Sequence, residues 1–476
     1  MPARKTREKH PQAQGKRPRM TKKTHPAQKK TQKKANKGRW LGIWLGLTGV
    51  AMLSATAGAI LAVSLNSTPL LQAELSPEEE AFFGSEAISR QSFRLPELTR
   101  PVNILILGTK VLTSDLDESS EDVGYHALVN SFEGLSDTML LLRFDPEDEK
   151  LTLLSIPRDT RALIEGHGIT KINAANYYGG PALAAKSISN LLEDVAIDRY
   201  IRVNVQGVEK LIDALGGVTV YVPHDMKYQD DSQHLYINLK QGEQHLDGEK
   251  AMQFLRFRYD RLGDIGRVQR QQMLMRSLVE QTLNPSTVAR IPKIIKVIQD
   301  HIDTNLSIEE IVALAGFATQ TDRSKVQMLM VPGNFNGDGK NEESYWIPYR
   351  RPIREMMAKH FDQGYSTVET TDPAYLSVAI QDSTGSPEAI AAMRNYLEAA
   401  GYRNVYVVDD TWEEPLSVTR IIAQGGDESG ASAIRADLGF GEVRVESTGS
   451  LASDVTIQLG RDWLNRQTRY ERFNSY

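Results

Sequence analysis

Residues 102–108 read VNILILG, an apolar run closed by glycine, which is the pattern of a strand buried in a sheet. Similar runs predict strands over Thr138–Phe144 and Leu151–Ile156, with a turn at residues 145–148 between them. Residues 109–135 are polar and acidic with little periodicity, which predicts a long loop, and long loops often carry function. The three runs indicate a sheet in the protein core.

Predicted helices follow these strands. Ala174–Val195 has apolar residues at helical spacing, and Val208–Leu215 predicts a short helix closed by a glycine pair. A strand over Val218–Val222 comes next, and residues 276–330 are mostly helical before a returning strand over Val326–Val331. Strands interleaved with helices indicate an α/β layered fold.

The C-terminal part of the chain starts a new β–α–β pattern after a boundary near residues 352–373. A strand is predicted over Leu376–Ile380, a helix over 387–400 and a second strand over Val405–Val408. We therefore predict a small, separate α/β domain over residues 373–463.

The composition divides the chain into a cationic tail and an acidic body. Residues 1–39 hold 15 Lys and Arg against one acid, while the other 437 residues hold 41 Lys and Arg against 60 acids. The tail lacks apolar periodicity, which predicts disorder. The chain has no cysteine, which excludes disulfides, thiolate metal sites and cysteine nucleophiles.

Residues 40–65 form an apolar run of 26 residues without a charge, long enough to cross a hydrocarbon core of roughly 30 Å. We predict a single transmembrane helix there; the alternative is a cleaved signal peptide, because residues 55–57 read ATA. Since the Lys and Arg residues abut one end only, the positive-inside rule predicts a cytoplasmic N-terminus at the plasma (inner) membrane. Residues 66–100 are predicted to be a tether to an extracytoplasmic body.

The basic tail admits two interpretations. Attraction to anionic membrane lipid, together with a role in topology, is the simpler one. Contact with nucleic acid is the alternative, but the acidic body argues against a nucleic-acid binder, and no nucleic-acid partner is expected.

Five arginines lie between residues 256 and 270. If 254–259 is a strand, Arg256 and Arg258 face the same side. A helix starting near Gly266 places Arg267, Arg270 and Gln271 on a shared face. Guanidinium groups that converge in this way suit a phosphate-bearing anion. The alternative is a network of ion pairs with the acids of the body.

Three further positions carry candidate chemistry. Arg158 and Asp159 follow a predicted strand, and the carboxyl ends of strands border the ligand crevice of α/β sheets. Asp137 is a candidate for a Mg²⁺ ligand or a simple strand cap. Lys171 precedes a predicted helix start, which favours anions unless Asn173 merely caps the helix. The chain contains no Walker, G-x-S-x-G or H-E-x-x-H motif.

Five motifs resemble those of the LytR-CpsA-Psr family and occur in that family's order. They are SDT at 136–138, SIPRDT at 155–160, KINAAN at 171–176, DALGGV at 213–218 and RFRYDRLGDIGRVQRQQ at 256–272. Residues 373–463 resemble the accessory C-terminal domain found in some members.

The resemblance implies a phosphotransferase with a three-layer α–β–α catalytic domain over residues 101–352. Such enzymes move a glycopolymer from a polyprenyl-pyrophosphate carrier onto peptidoglycan, with pyrophosphate hydrolysis as a side activity, Mg²⁺ as cofactor and the lipid in an apolar tunnel. By motif, Asp137 is implied to bind Mg²⁺. The implied catalytic residues are Arg158, Asp159, Arg256, Arg258 and Arg267. The implied substrate-binding residues are Lys171, Arg270, Gln271 and Gln272.

The chain departs from the family pattern at two places. Leu135 stands where the family often has arginine, and Tyr125 lies near a position that is often acidic. Four nearby acids are candidates for a shifted metal ligand: Asp115, Asp117, Glu121 and Asp122. The alternative function is therefore an anchored protein that binds lipid-linked glycan or peptidoglycan without turnover.

Overall fold

A computed structural model gives the structure of most of the chain after residue 69. The described residues are 70–84, 86–90, 96–110, 132–231, 235–257, 264–282, 290–336, 343–364, 373–409, 411–412 and 414–466, with the backbone alone at 110, 264–269, 282 and 373. The predicted tail at 1–39 and the predicted transmembrane segment at 40–65 lie outside these residues. Within the described ranges, no helix is long and apolar enough to cross a membrane.

A six-stranded mixed sheet forms the centre of the larger part of the molecule. Its strands are β3 (Val102–Lys110), β4 (Leu135–Asp145), β5 (Lys150–Ile156), β8 (Arg199–Asn204), β13 (Ile302–Thr304) and β14 (Val326–Met330). They lie in the order β13-β8-β3-β4-β5-β14. The pairs β3–β8 and β5–β14 are parallel, whereas β4 runs antiparallel to both of its neighbours.

The strands predicted over 102–108, 138–144 and 151–156 are confirmed, although β4 begins three residues earlier than predicted and β3 ends later. The strand continues two residues past Gly108, with a register shift between Gly108 and Thr109. A Cβ added at Gly108 would lie 3.0 Å from the Cβ of Thr138 on β4. Glycine therefore lets the two strands approach closely where β4 begins.

Helices cover both faces of this sheet. They are α2 (Ala174–Leu191), α3 (Val205–Leu215), α4 (Gly248–Arg256), α5 (Asp264–Thr282), α6 (Ile291–His301), α7 (Ile308–Gln320) and α8 (Arg350–His360). Buried side chains of α2 and α8 pack into one core with those on one face of the sheet. Helices α3 to α7 contribute residues that line a cavity over the opposite face. The α–β–α layering implied by the motifs is present.

The larger part of the molecule also contains short two-stranded antiparallel sheets. They pair β6 (Arg161–Ile164) with β7 (Gly168–Lys171), β9 (Val218–Val222) with β12 (Gly242–Leu246), β10 (Met226–Asp230) with β11 (Leu235–Leu239), and β15 (Gly333–Asn336) with β16 (Tyr345–Pro348). Single-turn 3₁₀ helices lie at Arg323–Lys325 and Pro373–Tyr375.

Part of the segment predicted to be a tether belongs to the folded body. Helix α1 (Pro77–Phe82) begins with a capping box at Ser76, and β1 (Ser89–Arg90) pairs with β2 (Glu97–Leu98). Phe83 is buried, and its ring centroid lies 5.2 Å from that of Tyr200 on β8. The prediction failed because this segment has few apolar residues and no clear period.

The C-terminal part contains a second sheet of five strands. They are β17 (Ser377–Asp382), β18 (Asn404–Val407), β19 (Arg420–Ala423), β20 (Glu442–Val445) and β21 (Val455–Leu459), in the order β18-β17-β21-β19-β20. Helices α9 (Pro387–Ala399) and α10 (Glu428–Leu438) pack on one face.

The two sheets share one continuous apolar core, to which helix α8 contributes Ile353, Met356 and Met357. Their edge strands also meet, because Met328 of β14 forms an isolated parallel bridge with Glu446, directly after β20. The predicted C-terminal elements are therefore present, and they pack directly against the larger part of the molecule.

Candidate functional site

The start of β4 and the end of β5 bring two predicted site residues together. Because β4 and β5 are antiparallel and Met139 pairs with Ile156, Asp137 lies opposite the residues that follow β5. Nη1 of Arg158 donates to Oδ1 of Asp137 at 3.1 Å. This is the edge of the sheet at which the sequence predicted a ligand crevice.

Asp159 and Lys171 extend this pair into a row of alternating charges. Oδ2 of Asp159 lies 3.4 Å from Nε of Arg158, and its Oδ1 lies 3.2 Å from Nζ of Lys171. Its backbone oxygen accepts a hydrogen bond of 2.9 Å from the amide of Trp346 on β16. These contacts hold four charged side chains next to one another. We call them the charged row: Asp137, Arg158, Asp159 and Lys171.

Asn173 ties three of the motifs together through its backbone. Its carbonyl accepts from the amide of Ser136 at 3.1 Å, and its amide donates to the carbonyl of Arg158 at 3.2 Å. Its side chain makes no capping hydrogen bond to helix α2. The side chain of Asn173 therefore does not cap helix α2. Its backbone instead connects the start of β4 with the residues that follow β5.

Arg256 and Gln271 reach the site from helices. Arg256 is the last residue of α4, which corrects the prediction of a strand over 254–259. Asp247 caps this helix by accepting from the amide of Lys250, and Ala251 and Phe254 recur at helical spacing on its buried side. Nε2 of Gln271 on α5 donates to Oγ1 of Thr138 at 3.2 Å.

Two of the predicted substrate-binding residues point elsewhere. Arg270 is buried; its guanidinium donates to the carbonyl of Phe257 and lies 5.8 Å from the centroid of that ring. Gln272 is also buried, and among the described residues it is not one of those lining either cavity of the site. The assignment of Arg270 and Gln272 to substrate binding stays a prediction.

Several predicted residues lie outside the description. Arg258 is among the residues not described, and only the backbone of Arg267 is, within helix α5. Tyr125 and the candidate acids Asp115, Asp117, Glu121 and Asp122 also lie outside the described ranges. Their assignments stay predictions.

A cavity of about 500 Å³ extends from the charged row along one face of the central sheet. Two rows of paired strand residues form its floor: Thr138–Gly108–Val203–Ile302 and Leu140–Ile106–Ile201–Thr304. Its other walls are mostly apolar side chains of helices α3 to α7. Polar groups gather at the β4 end, where Asp137, Thr138, Arg256 and Gln271 line it.

A second cavity of about 20 Å³ adjoins this polar end. It is lined by Asp137, Arg158, Asp159 and Gln271, and also by Phe335 of β15. This volume suits one water-sized species, since a cavity needs at least about 10–15 Å³ to hold a water molecule.

The donor set fits Mg²⁺ bound jointly with a substrate. Within the described part of the chain, no three His, Asp or Glu side chains gather closely enough to hold a metal by themselves. Mg²⁺ commonly binds through one or two carboxylates together with substrate phosphates. Asp137, at the junction of the two cavities, offers such a carboxylate.

Leu135 occupies the position at which the family pattern often has arginine. It begins β4 and packs, partly buried, against the main apolar core. Among the described residues, the cationic groups of this site come from Arg158, Lys171 and Arg256.

The hairpin β15–β16 supplies residues that sequence reasoning missed. Phe335 lines the small cavity, and Nζ of Lys171 lies 5.7 Å from the ring centroid of Tyr345. The hairpin belongs to no recognised motif and is distant in sequence from the others, so no sequence signal could have placed these residues here.

Comparison with known proteins agrees with this architecture. A profile described as the LytR_cpsA_psr family matches residues 73–362, more than half of the chain. The protein therefore belongs to the LytR-CpsA-Psr family. A second profile, described as LytR cell envelope-related transcriptional attenuator, matches residues 375–463, so the chain also carries a LytR-type C-terminal domain.

Curated relatives are identical to this chain at about a third of the aligned positions. The polyisoprenyl-teichoic acid–peptidoglycan teichoic acid transferase TagV of Bacillus subtilis is 32% identical over 240 residues, which are 48% of this chain. TagU of Oceanobacillus iheyensis, which carries the same description, is 34% identical over 220 residues, or 45% of this chain. The aligned regions span 61% of the length of each relative. The crystal structure of B. subtilis TagV superposes with a TM-score of 0.47 at 29% identity, covering 56% of this chain and 99% of that one.

Proposed function

We propose that this protein is a membrane-anchored phosphotransferase that moves a glycopolymer from a polyprenyl-pyrophosphate carrier onto peptidoglycan. One observation carries the proposal: the charged row lies at one end of a large apolar cavity. A ligand that fits both must combine an anionic head with a long apolar tail. The names of the relatives TagV and TagU, polyisoprenyl-teichoic acid–peptidoglycan teichoic acid transferases, support this class of donor and acceptor.

The apolar cavity supports binding of the lipid tail. Its volume of about 500 Å³ lies within the range of roughly 300–1,000 Å³ that is usual for ligand pockets. The floor carries Ile106, Leu140 and Ile201, and leaving these side chains around an open space forfeits packing unless a ligand fills it. A prenyl chain would restore that packing.

The charged row supports binding of the pyrophosphate. Arg158, Lys171 and Arg256 supply cationic groups, and Arg258 and Arg267 stay predicted partners. Mg²⁺, held by Asp137 with the substrate oxygens, would supply further neutralisation of the pyrophosphate charge. Phosphoryl transfer depends mainly on such positioning and electrostatic stabilisation.

The proposed reaction forms one phosphodiester bond. A sugar hydroxyl of the acceptor attacks the phosphorus atom next to the glycan, and a new O–P bond forms. The bridging P–O bond to the lipid-side phosphate breaks, and polyprenyl phosphate leaves with the bonding electron pair. We assign the hydroxyl proton to the carboxylate of Asp159, which Arg158 and Lys171 orient from either side.

The proposed cellular location follows from the sequence. The basic tail would lie in the cytoplasm, residues 40–65 would span the plasma membrane, and the folded body would lie outside the cell. This arrangement brings the body to both proposed partners, the lipid-linked glycan in the membrane and the peptidoglycan beyond it.

The test is turnover of a short polyprenyl pyrophosphate by the full-length chain in detergent, with and without Mg²⁺. We expect Arg158→Ala to lower kcat/KM by about 10²–10³-fold, the usual cost of one donor that stabilises transition-state charge. Arg161→Ala is the matched control, because Arg161 is exposed on β6, three residues further along the chain. We expect it to keep full activity.

Two other results would contradict the proposal in different ways. Tight binding of the lipid without turnover in the unmodified protein would identify an anchored binding protein, for which the loss of arginine at Leu135 is a sufficient reason. Neither binding nor turnover would overturn the assignment of both the cavity and the charged row.

A further inference from the structure

The two ends of the charged row border different parts of the molecule. Asp137 lies at the end where the large cavity begins, together with Arg256 and Gln271. Lys171 lies at the other end, where its Nζ is 3.2 Å from Oδ1 of Asp159. In phosphoryl transfer the attacking and leaving oxygens are roughly in line. With the leaving lipid phosphate on the cavity side, the acceptor hydroxyl has to arrive from the side of Lys171.

The hairpin β6–β7 lies directly beyond Lys171. This residue ends β7, and Ile169 lies on the same face because side chains alternate along a strand. Leu163 of β6 pairs with Ile169 across the hairpin. Leu163 is 64% exposed and Ile169 is 58% exposed. Two neighbouring apolar side chains therefore lie in solvent next to a cation of the charged row.

The opposite face of this hairpin is fixed to the body. Ala162 and Ile164 are buried in the apolar core that also contains residues of helix α2. Thr160, directly before β6, forms a parallel bridge with Trp346 of β16, whose amide donates to the carbonyl of Asp159. The exposed face thus has a fixed position relative to Asp159, which lets it orient a ligand toward that carboxylate.

An aromatic side chain borders the exposed face. The ring centroid of Tyr345 on β16 lies 5.7 Å from Nζ of Lys171, and its hydroxyl donates to Glu343 at 2.8 Å. Adjacent apolar groups at the surface, bordered by polar ones, commonly mark a site of interaction. We call the following four residues the hairpin face: Leu163, Ile169, Lys171 and Tyr345.

A glycan chain with acidic substituents matches the chemistry of the hairpin face. One side of a pyranose ring presents C–H groups, which pack against apolar and aromatic side chains. The ring hydroxyls then project from its edge, where a base can reach them. Peptidoglycan also carries carboxylates on its stem peptides, and the ammonium group of Lys171 attracts them. The hairpin face therefore complements both parts of the proposed acceptor.

We propose that the hairpin face is the acceptor subsite, which binds the glycan strand of peptidoglycan and directs a sugar hydroxyl toward Asp159. Leu163, Ile169 and Tyr345 contact the sugar rings, and Lys171 faces the acidic groups. The inference rests on the proposed function, because it takes the charged row to bind the donor pyrophosphate.

The first test separates the KM for the acceptor from the KM for the donor. The full-length chain in detergent is assayed with a glycan linked to polyprenyl pyrophosphate as donor and a soluble, uncross-linked peptidoglycan strand as acceptor. The double variant Leu163→Asn/Ile169→Asn removes the apolar contacts and keeps Lys171. We expect the KM for the acceptor to rise about tenfold, which is 1.4 kcal/mol, and the KM for the donor to stay the same.

Tyr375→Asn is the matched control for the double variant. Tyr375 is also a large exposed side chain, at 68%, but it lies in the 3₁₀ helix that precedes the C-terminal sheet. Its KM for the acceptor should equal that of the unmodified chain.

The assay distinguishes failure of this inference from failure of the proposed function. If the unmodified chain releases no polyprenyl phosphate from the donor, with or without acceptor, the proposed function fails. If it does release polyprenyl phosphate, and the double variant keeps the KM for the acceptor, the hairpin face is not the acceptor subsite. An equal rise in both KM values would also overturn the inference, because the change would then act through the charged row.

A second test measures binding without turnover. The chain has no cysteine, so one introduced cysteine is its only thiol. Leu163→Cys and Lys296→Cys are a matched pair, because both positions are exposed and Lys296 lies on helix α6, over the opposite face of the central sheet. The rate of modification by a maleimide is measured with and without the soluble peptidoglycan strand.

We expect the strand to slow modification at position 163 about threefold when its concentration is about twice the Kd, and to leave position 296 unaffected. Equal rates at position 163 with and without the strand would overturn the inference. Protection of position 163 by vesicles of anionic lipid, but not by the strand, would assign the hairpin face to the membrane and would overturn it as well.

Discussion

The two sheets of this protein each bury one apolar face under helices, and they differ in what covers the other face. In the central sheet the second face consists mainly of apolar side chains, and it borders the 500 Å³ cavity. In the C-terminal sheet one register row of the second face is polar, running Gln381–Gln458–Arg420–Glu442. This face of the central sheet therefore borders an open cavity, whereas the corresponding face of the C-terminal sheet carries polar contacts.

The difference follows from what each kind of side chain needs when buried. An apolar wall has no hydrogen bonds to lose, so it can border open space that a ligand later fills. A buried polar group needs a partner. Nε2 of Gln458 donates to Gln381 at 3.0 Å, and Nε2 of Gln424 donates to Thr456 at 2.9 Å, whereas the Oε1 atoms of Gln424 and Gln458 are buried without a hydrogen-bond partner among the described residues.

Helix α5 takes part in both arrangements. Its residues Gln271 and Leu274 line the cavity, whereas Arg276 forms an ion pair with Glu446 at the edge of the C-terminal sheet. The C-terminal sheet is thus attached to a helix that also lines the cavity. The open face of the central sheet leaves room for the proposed ligand, whereas the C-terminal sheet uses a polar residue at its edge for attachment.

Among the changes considered, removal of the ion pair between Arg276 and Glu446 should have the largest effect on stability. Glu446 is 3% exposed, and Glu446→Ala leaves the largely buried guanidinium of Arg276 with only the more distant carboxylate of Glu280, at 3.9 Å. We expect the free energy of unfolding to fall by about 3 kcal/mol or more. Chemical denaturation of the purified chain measures this change.

A matched control and a double variant sharpen the result. Glu442 also pairs with Arg444, but its side chain is half exposed, so Glu442→Ala should cost less than about 1 kcal/mol. Replacing Arg276 and Glu446 together by methionine should recover most of the lost stability, since both charges of this pair are then removed and Arg444 keeps Glu442 as its partner. If Glu446→Ala and Glu442→Ala lower the free energy of unfolding equally, the ion pair between Arg276 and Glu446 does not stabilise the attachment of the C-terminal sheet to helix α5.

A substitution that fills the cavity tests whether this face of the central sheet binds the lipid tail. Val208 lines the cavity from helix α3, so Val208→Trp places an indole where the lipid tail would lie. The indole takes the space of roughly two or three methylenes, each worth about 0.8 kcal/mol when buried. We expect the KM for a polyprenyl pyrophosphate to rise about thirtyfold.

Lys210→Trp is the control for this change, because it puts the same side chain on the exposed side of helix α3. Its KM should match that of the unmodified chain. An unchanged KM in the Val208→Trp variant, with the fold intact by circular dichroism, would mean that the lipid does not enter this cavity.

Sequence reasoning predicted β3, β4, β5 and β14 of the central sheet and β17 and β18 of the C-terminal sheet, because apolar runs bounded by turn residues leave few alternatives. It did not predict β8, β13, β19 or β20. Val218–Val222, in a two-stranded sheet with β12, forms a strand at the predicted bounds. Sequence reasoning failed at Arg256, where the alternation in RFRY suggested a strand. The helix there is fixed by the cap at Asp247 and by Ala251 and Phe254 packing into the core, signals that lie upstream of the arginines.

The candidate site was predicted in part. The motifs placed Asp137, Arg158 and Lys171 together, but they could not show that Asp159 bridges Arg158 and Lys171. Helical spacing put Arg270 on the face of Gln271, and yet Arg270 turns to the carbonyl of Phe257. Such outcomes depend on tertiary contacts between distant segments, which one sequence does not encode locally.

The smallest expected effect concerns pH at the junction of the two sheets. His360, at the end of α8, is buried beside Gly426, and that burial, with the nearby charges of Lys150 and Lys359, lowers the pKa of His360 to about 3. In the unfolded chain an ordinary histidine has a pKa of about 6.5. Between these values the unfolded state binds a proton that the folded state does not, so stability falls as pH decreases.

The resulting decrease in the free energy of unfolding should amount to about 1.4 kcal/mol at pH 5.5 and should be absent above about pH 7.5. His360→Leu removes the titrating group, so the fall in unfolding free energy between pH 7.5 and 5.5 should shrink by that amount. His167→Leu, at an exposed histidine in the β6–β7 hairpin, should keep the full pH dependence. If the two variants have the same pH dependence, His360 does not couple the junction of the sheets to pH, and its burial matters for packing alone.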